Sequence, residues 1–156
     1  MQKEDIPYLE EQLKISKDVK LNLQKEKADA TDITIIVNIL KLLVSDLKTK
    51  ASSENFKFEP TTVVNTIRTY IEGAETSLKY VKDINSIYKL KLEINYLNTL
   101  IPKQLTNEII TEIIDGILDE NPKAKIGDIM SYFKNNYAGQ YDGKYLSGFV
   151  NKYLSK

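Results

Sequence analysis

The sequence predicts an all-α protein, with an N-terminal helical bundle over residues 1–101 and a small C-terminal three-helix domain over residues 102–156. Three observations predict it. Apolar residues recur at spacings of three and four through nearly the whole chain, the period of one helix face. No segment alternates apolar and polar residues between hairpin turns, as strands would. The few prolines and glycines that interrupt the helical pattern stand beside residues that cap helices.

Asp5-Ile6-Pro7 places a capping residue and a proline where a first helix begins. Leu9, Leu13, Ser16, Val19 and Leu23 then fall on one side of a mostly charged segment, so this helix is only moderately amphipathic. Asp29 to Asp32 offers the next caps, and Ile35, Ile36, Ile39, Leu40, Leu43 and Leu47 follow with polar residues between them. That pattern is a helix with a wide apolar face. Ala51 to Asn55 reads as a loop, and Phe56 and Phe58 after it are expected to fold back onto the core.

Glu59-Pro60-Thr61 opens a third helix, in which Val64, Ile67, Ile71, Ala74, Leu78 and Val81 form a heptad seam. Such a seam can take a helix from a partner, including another copy of the chain. It more commonly packs within its own chain, and the helix from Ile35 to Leu47 is its expected partner. Asp83 marks a restart, after which Ile84, Ile87, Leu90, Ile94, Leu97 and Ile101 repeat the spacing. No glycine or proline lies between Ala74 and Ile101 to make a tight turn, so one long helix and a hairpin both fit; Asp83 favours a break.

Pro102 disfavours helical geometry at Ile101, and the domain boundary is placed there. Thr106 caps a helix carrying Ile109, Ile110, Ile113, Ile114, Ile117 and Leu118, which stops before Asn121-Pro122. A short helix follows with Ile126, Ile129, Met130 and Phe133. Gly139 then interrupts, and Asp142 caps a last helix carrying Leu146, Phe149, Val150, Tyr153 and Leu154.

Composition narrows the function. Apolar residues make up 42% and charged residues 28% of 156, the balance of a soluble folded protein. Twenty-two basic residues against 22 acidic ones leave no net charge, so an anionic partner must be met by a local patch and not by a long-range field. Cysteine is absent, which removes disulfides and thiolate metal sites; histidine is absent too, which removes the commonest general base and metal ligand. No catalytic residue, metal site or cofactor is expected. The acidic start Met1-Gln2-Lys3-Glu4-Asp5 is unlike a targeting peptide, and no apolar run reaches the roughly 20 residues of a membrane span. A cytoplasmic protein with no membrane partner is the expectation.

Two segments of the C-terminal part resemble a known family. Ile101-Pro102-Lys103-Gln104-Leu105-Thr106 is similar to the "LPKQLS/T" signature of GatB/YqeY-like proteins. Ile126-Gly127-Asp128-Ile129-Met130, then Ala138-Gly139-Gln140-Tyr141-Asp142-Gly143-Lys144, then Val150-Asn151-Lys152-Tyr153-Leu154 resemble that family's "MGKVM … GRADGK … VKKLL" series in order and interval. The specific matching covers roughly the last third of the chain. Two positions depart from it: Gln140 stands where the family commonly has arginine, and Asp128 where it has lysine, so two positive charges are missing.

The resemblance implies a free-standing relative of the tail domain of the GatB subunit of tRNA-dependent amidotransferases. That tail contacts tRNA while other domains carry out the carbon–nitrogen ligase chemistry with glutamine as amido donor. The chain is therefore expected to be a non-catalytic accessory protein.

Charge within the C-terminal part is uneven. Residues 103–122 carry Lys103 against Glu108, Glu112, Asp115, Asp119 and Glu120, whereas residues 123–156 carry Lys123, Lys125, Lys134, Lys144, Lys152 and Lys156 against Asp128 and Asp142. The acidic stripe is read as the wet side of an amphipathic helix. For the basic end two readings stand. In one, lysines meet phosphates while Tyr132, Tyr137, Tyr141, Tyr145 and Tyr153 stack on exposed bases; in the other, the lysines are ordinary surface and the tyrosines fill a small core. The expected nucleic-acid-binding residues are Lys103, Lys134, Gly139, Gln140, Gly143, Lys144 and Lys152, with tRNA as the ligand. The alternative is a protein–protein adaptor that uses the helical surface.

Overall fold

A computed structural model of the chain describes residues 6–59 and 61–156; the cap assigned to Asp5, the leader residues Met1 to Asp5 and the opening role of Pro60 lie outside the described residues. Among the described residues the fold is all-α, with seven helices and no strand. They fall into two compact units, one ending at Ile101 and the other beginning at Pro102.

The first unit contains α1 (Ile6–Lys25), α2 (Thr31–Ser52), α3 (Thr62–Leu78) and α4 (Ile84–Leu100). Each forms where the apolar spacing requires it. Helix α2 is central: α1 packs along it, and it touches both members of the α3–α4 pair. Leu9 from α1, Leu40, Leu43 and Leu47 from α2, Val64 and Ile67 from α3, and Leu97 from α4 are buried together in one core. Burying one such side chain stabilises the fold by about 1.5–3 kcal/mol relative to leaving it in water.

Helices α3 and α4 are separate elements, as Asp83 suggested. The turn between them contains no glycine or proline. The Ser77 carbonyl accepts from the Tyr80 and Val81 N–H groups at 3.0 and 3.2 Å, and the Asp83 carboxylate caps α4 by accepting from the Ser86 N–H at 2.9 Å. The hydroxyl of Ser86, and then its backbone N–H, hold Asp83 below the usual carboxylate range. The heptad seam of α3 is buried at Val64, Ile67, Ile71 and Ala74, but its chief partner is α4, with α2 second. A short connection brings α4 back onto α3 before any more distant helix can cover it.

Two other expectations are corrected. Phe56 and Phe58 do not join the core. They stay exposed and meet each other edge to face, with the Lys50 ammonium 5.9 Å from the Phe56 ring centre. Val19, placed on the apolar side of α1, is exposed, and the buried positions of that helix are Leu9 and Ser16. At Ile101 the backbone is extended, with φ −105° and ψ 155°, as a following proline demands.

Helix α1 ends in a turn where the Ala28 N–H bonds the Leu23 carbonyl at 2.8 Å and Lys27 has a φ of 56°. Glycine usually fills this left-handed position, because a Cβ there crowds the following carbonyl. Lys27→Gly is expected to raise stability by about 0.5–1 kcal/mol, read as a higher urea midpoint at unchanged slope; an unchanged or lower midpoint contradicts the strain.

Candidate nucleic-acid interface

The second unit contains α5 (Asn107–Glu120), α6 (Ile126–Asn136) and α7 (Gly143–Leu154). Ile110, Ile114, Ile129, Phe133, Leu146 and Val150 are buried at its centre. Tyr137 and Tyr141 pack on Phe133, each with ring centres 5.8 Å away. Burial raises the pKa of Tyr141 above the usual tyrosine range.

Two tyrosine hydroxyls set the arrangement of α5 and α7. Tyr145 donates to the Asn107 side-chain oxygen at 2.8 Å, and Tyr153 donates to the Asp115 carboxylate. Both pairs are separated by 38 residues in the chain. Equal offsets at two points eight residues apart, about 12 Å along a helix, mean that α5 and α7 run parallel with their starts at the same end.

At that end the two family-like segments meet. The Gln104 side-chain amide donates to the Pro102 carbonyl at 2.7 Å and to the Gly139 carbonyl at 3.0 Å. The Leu105 N–H donates to the Gln140 carbonyl at 2.8 Å. The Pro-Lys-Gln-Leu segment and the Gly139–Lys144 connection are thus two halves of one contact. Gly139 makes it possible with a φ of 80°, a conformation that side-chain-bearing residues rarely adopt.

Each helix of this unit starts on a side-chain acceptor. Thr106 accepts from the Ile109 N–H at 3.3 Å, and Asp142 accepts from the Lys144 and Tyr145 N–H groups at 2.8 and 3.1 Å. At the start of α6 the Asp128 carboxylate accepts from the Lys125 N–H at 2.9 Å. Here an acid in place of the family's lysine has a structural role, since a carboxylate in the first turn is favoured by the helix dipole. Glu108 is held below the usual carboxylate range by its own backbone N–H and then by the Thr106 hydroxyl.

A scan against family models finds that the one for Yqey-like proteins matches residues 12–154. The chain belongs to that family. The match runs from within α1 to the end of α7, so both units lie inside it, a far wider span than the C-terminal third that carries the recognisable motifs. No curated protein matches the chain.

The residues expected to form the site divide into two groups. Gly139 is buried and Gln140 half-buried, and the backbone carbonyls of both are engaged by the 102–106 segment, so both support the connection. Lys103, Lys134, Gly143, Lys144 and Lys152 are exposed, and a Cβ placed on Gly143 would meet nothing within 4 Å. Lys103 lies next to Gln104 and therefore at the same end as Gly143 and Lys144. Lys134, in the last turn of α6, and Lys152, in the last turn of α7, are favoured there by the helix dipole.

On α7 the exposed positions include Lys144, Tyr145, Gly148, Asn151 and Lys152, one face of a helix with no acid on it. Tyr145 is 54% and Tyr132 43% exposed, whereas Tyr137, Tyr141 and Tyr153 are half-buried. Tyr137 and Tyr141 help to fill the core, while the rings of Tyr145 and Tyr132 are left at the surface. Among the described residues the ion pairs all lie between residues 10 and 93, and none involves a lysine of the second unit. The two acids at its basic end, Asp128 and Asp142, are turned to backbone N–H groups. No group of three or more acids that could hold a metal ion occurs among the described residues.

Gln104 is the residue that the sequence reading left out of the site. Its signal was present in the Pro-Lys-Gln-Leu segment, but its partner is 35 residues away. Gln104→Ala is expected to destabilise the second unit by about 1–3 kcal/mol, because it removes the side-chain donor to the Pro102 and Gly139 carbonyls. Gly139→Ala is expected to cost about 1–2 kcal/mol through the strained φ. Denaturant titration followed by tyrosine fluorescence measures both, and losses below about 0.5 kcal/mol, the range of ordinary surface changes, would show that the contact is not structural.

Proposed function

We propose that the second unit is a tRNA-binding accessory module in the cytoplasm, linked to tRNA-dependent amidotransferase function and without chemistry of its own. The observation that carries this reading is the acid-free face of α7, where Lys144 and Lys152 are exposed and make no ion pair among the described residues, beside the exposed ring of Tyr145. Lys144 stands in the first helical turn, where a cation opposes the dipole. Its position is poor for helix stability and suits an ammonium group offered to a phosphate. The first N–H groups of α7 already bond Asp142, so lysine side chains, and not the helix terminus, supply the anion contacts. The resemblance to the amidotransferase tail supplies tRNA as the ligand.

A second reading, a protein–protein adaptor, is favoured by a separate observation. Tyr80 and Ile84, at the turn between α3 and α4, are 78% and 80% exposed, which is unusual for side chains of that size at one place.

Filter binding of bulk tRNA at two salt concentrations tests the first reading. Wild type is expected to bind at low salt, and Lys144→Glu and Lys152→Glu each to weaken binding and reduce the slope of log affinity against log salt by roughly one. Tyr145→Ala should weaken binding with the slope unchanged. Lys144→Glu complements the helix dipole, so it is expected to fold at least as well as wild type, and lost binding cannot then be assigned to unfolding. No binding at low salt would dismiss the RNA reading in favour of the adaptor, and binding indifferent to both lysine changes would move the site elsewhere.

A further inference from the structure

The first unit holds a cavity of about 390 Å³ that the RNA reading does not use. It is lined by Asp46 and Lys50 from α2, Tyr70 and Gly73 from α3, and Leu90 and Glu93 from α4. Its size is within the range of small-molecule sites, roughly 300–1,000 Å³.

The charges on its walls are unevenly matched. Asp46 is well supplied, accepting from the Tyr70 hydroxyl at 3.2 Å and lying 3.6 Å from the Lys50 ammonium. Lys50 is in turn held by the Thr66 hydroxyl at 3.0 Å. Glu93 is different. Its side chain is 14% exposed, and the cation nearest to it, Lys89, is on the outer surface at 3.9 Å, 57% exposed. Burial therefore outweighs Lys89 and pushes the Glu93 carboxyl above its usual range. A carboxylate withdrawn from water in this way is compensated best by a cation that enters beside it.

Gly73 points the same way. Glycine weakens a helix interior relative to alanine, so its presence there calls for a reason. Close packing is not the reason, since a Cβ on Gly73 would meet nothing within 4 Å, and its φ is not in the left-handed range. What the missing side chain leaves is open volume on the cavity wall. The apolar part of that wall, Leu90 with Ile39 and Ala74, suits a hydrocarbon chain. A bare metal ion does not fit, because no cluster of three or more acids is present among the described residues.

We propose that this cavity binds a small organic cation, an amine or guanidine on a short hydrocarbon chain, with its charged head on Glu93 and its chain over Gly73 and Leu90. The proposal is independent of the RNA reading, which concerns the other unit.

Titration of the full chain with 1,5-diaminopentane and with agmatine, followed by calorimetry and by amide chemical shifts, tests it. At least one probe is expected to saturate in the micromolar to low millimolar range, with shifts centred on Gly73 and Leu90, and pentanoate is expected not to bind. Glu93→Gln should weaken binding roughly tenfold or more, the worth of one charged hydrogen bond. It should be at least as stable as wild type at neutral pH, since it removes a charge that burial disfavours. Gly73→Leu fills the volume and should abolish binding with helicity retained; should that variant not fold, Glu93→Gln alone decides. No saturation by either probe up to about 10 mM, equal binding of pentanoate, or affinity unchanged by Glu93→Gln would each overturn the proposal.

Discussion

The contact that organises the second unit is a single primary amide. Gln104 donates one hydrogen bond to a carbonyl two residues before it and another to Gly139, across 35 residues of chain. An amide nitrogen with two protons can give each of two carbonyls a proton of its own, whereas a hydroxyl or backbone N–H must share one. The neighbouring Leu105–Gln140 backbone bond adds a third tie at the same place. Through these bonds the turn before α7 is placed against the entry to α5. The two tyrosine hydroxyls farther along then keep the helices parallel. The two motifs that resemble the Yqey-like family are in this light one structural device written in two places. Their spacing in sequence follows from the length of α5 and α6 between them.

This device has an electrostatic consequence. Parallel α5 and α7 put two helix starts at one end, and both are closed by their own side chains, Thr106 and Asp142. The acids of the basic segment are held at helix starts, and the remaining acids of the unit lie along α5, where one of them receives the Tyr153 hydroxyl. Opposite charges are thereby segregated onto different helices of a chain whose formal net charge is zero. A local patch can then act on an anionic partner without the long-range attraction, and the non-specific association, of a strongly basic protein. The first unit handles charge differently. Among its ion pairs, Lys48 with Glu10 crosses between helices and Lys50 with Asp46 sits on the wall of a cavity.

Much of this was legible in the residues. The helical period, the caps at Thr106 and Asp142, the restart at Asp83 and the break at Pro102 are local properties, set by side chains within four residues of one another, and the structure reproduces them. The exposure of Lys144 and Lys152 was equally readable from their position opposite Leu146 and Val150 on one helix. Less readable was what is non-local. Gly139 was counted among the expected binding residues, but it is buried, and its positive φ serves the turn. Phe56 and Phe58 were assigned to the core by hydrophobicity alone, and hydrophobicity does not say whether a loop is long enough or aimed correctly to deliver a ring inside.

The sequence by itself determined that the chain is helical, where most helices begin and end, and which faces are wet, because these depend on backbone hydrogen bonding and apolar spacing within a few residues. The tertiary structure alone decided that α3 takes α4 as its chief partner, that Gln104 reaches Gly139, and that Glu93 and Gly73 border the same cavity. Each of these joins residues from separate helices. Pattern within one helix says which side is apolar, but the partner that covers it is chosen by chain connectivity and by the fit of several helices packed together.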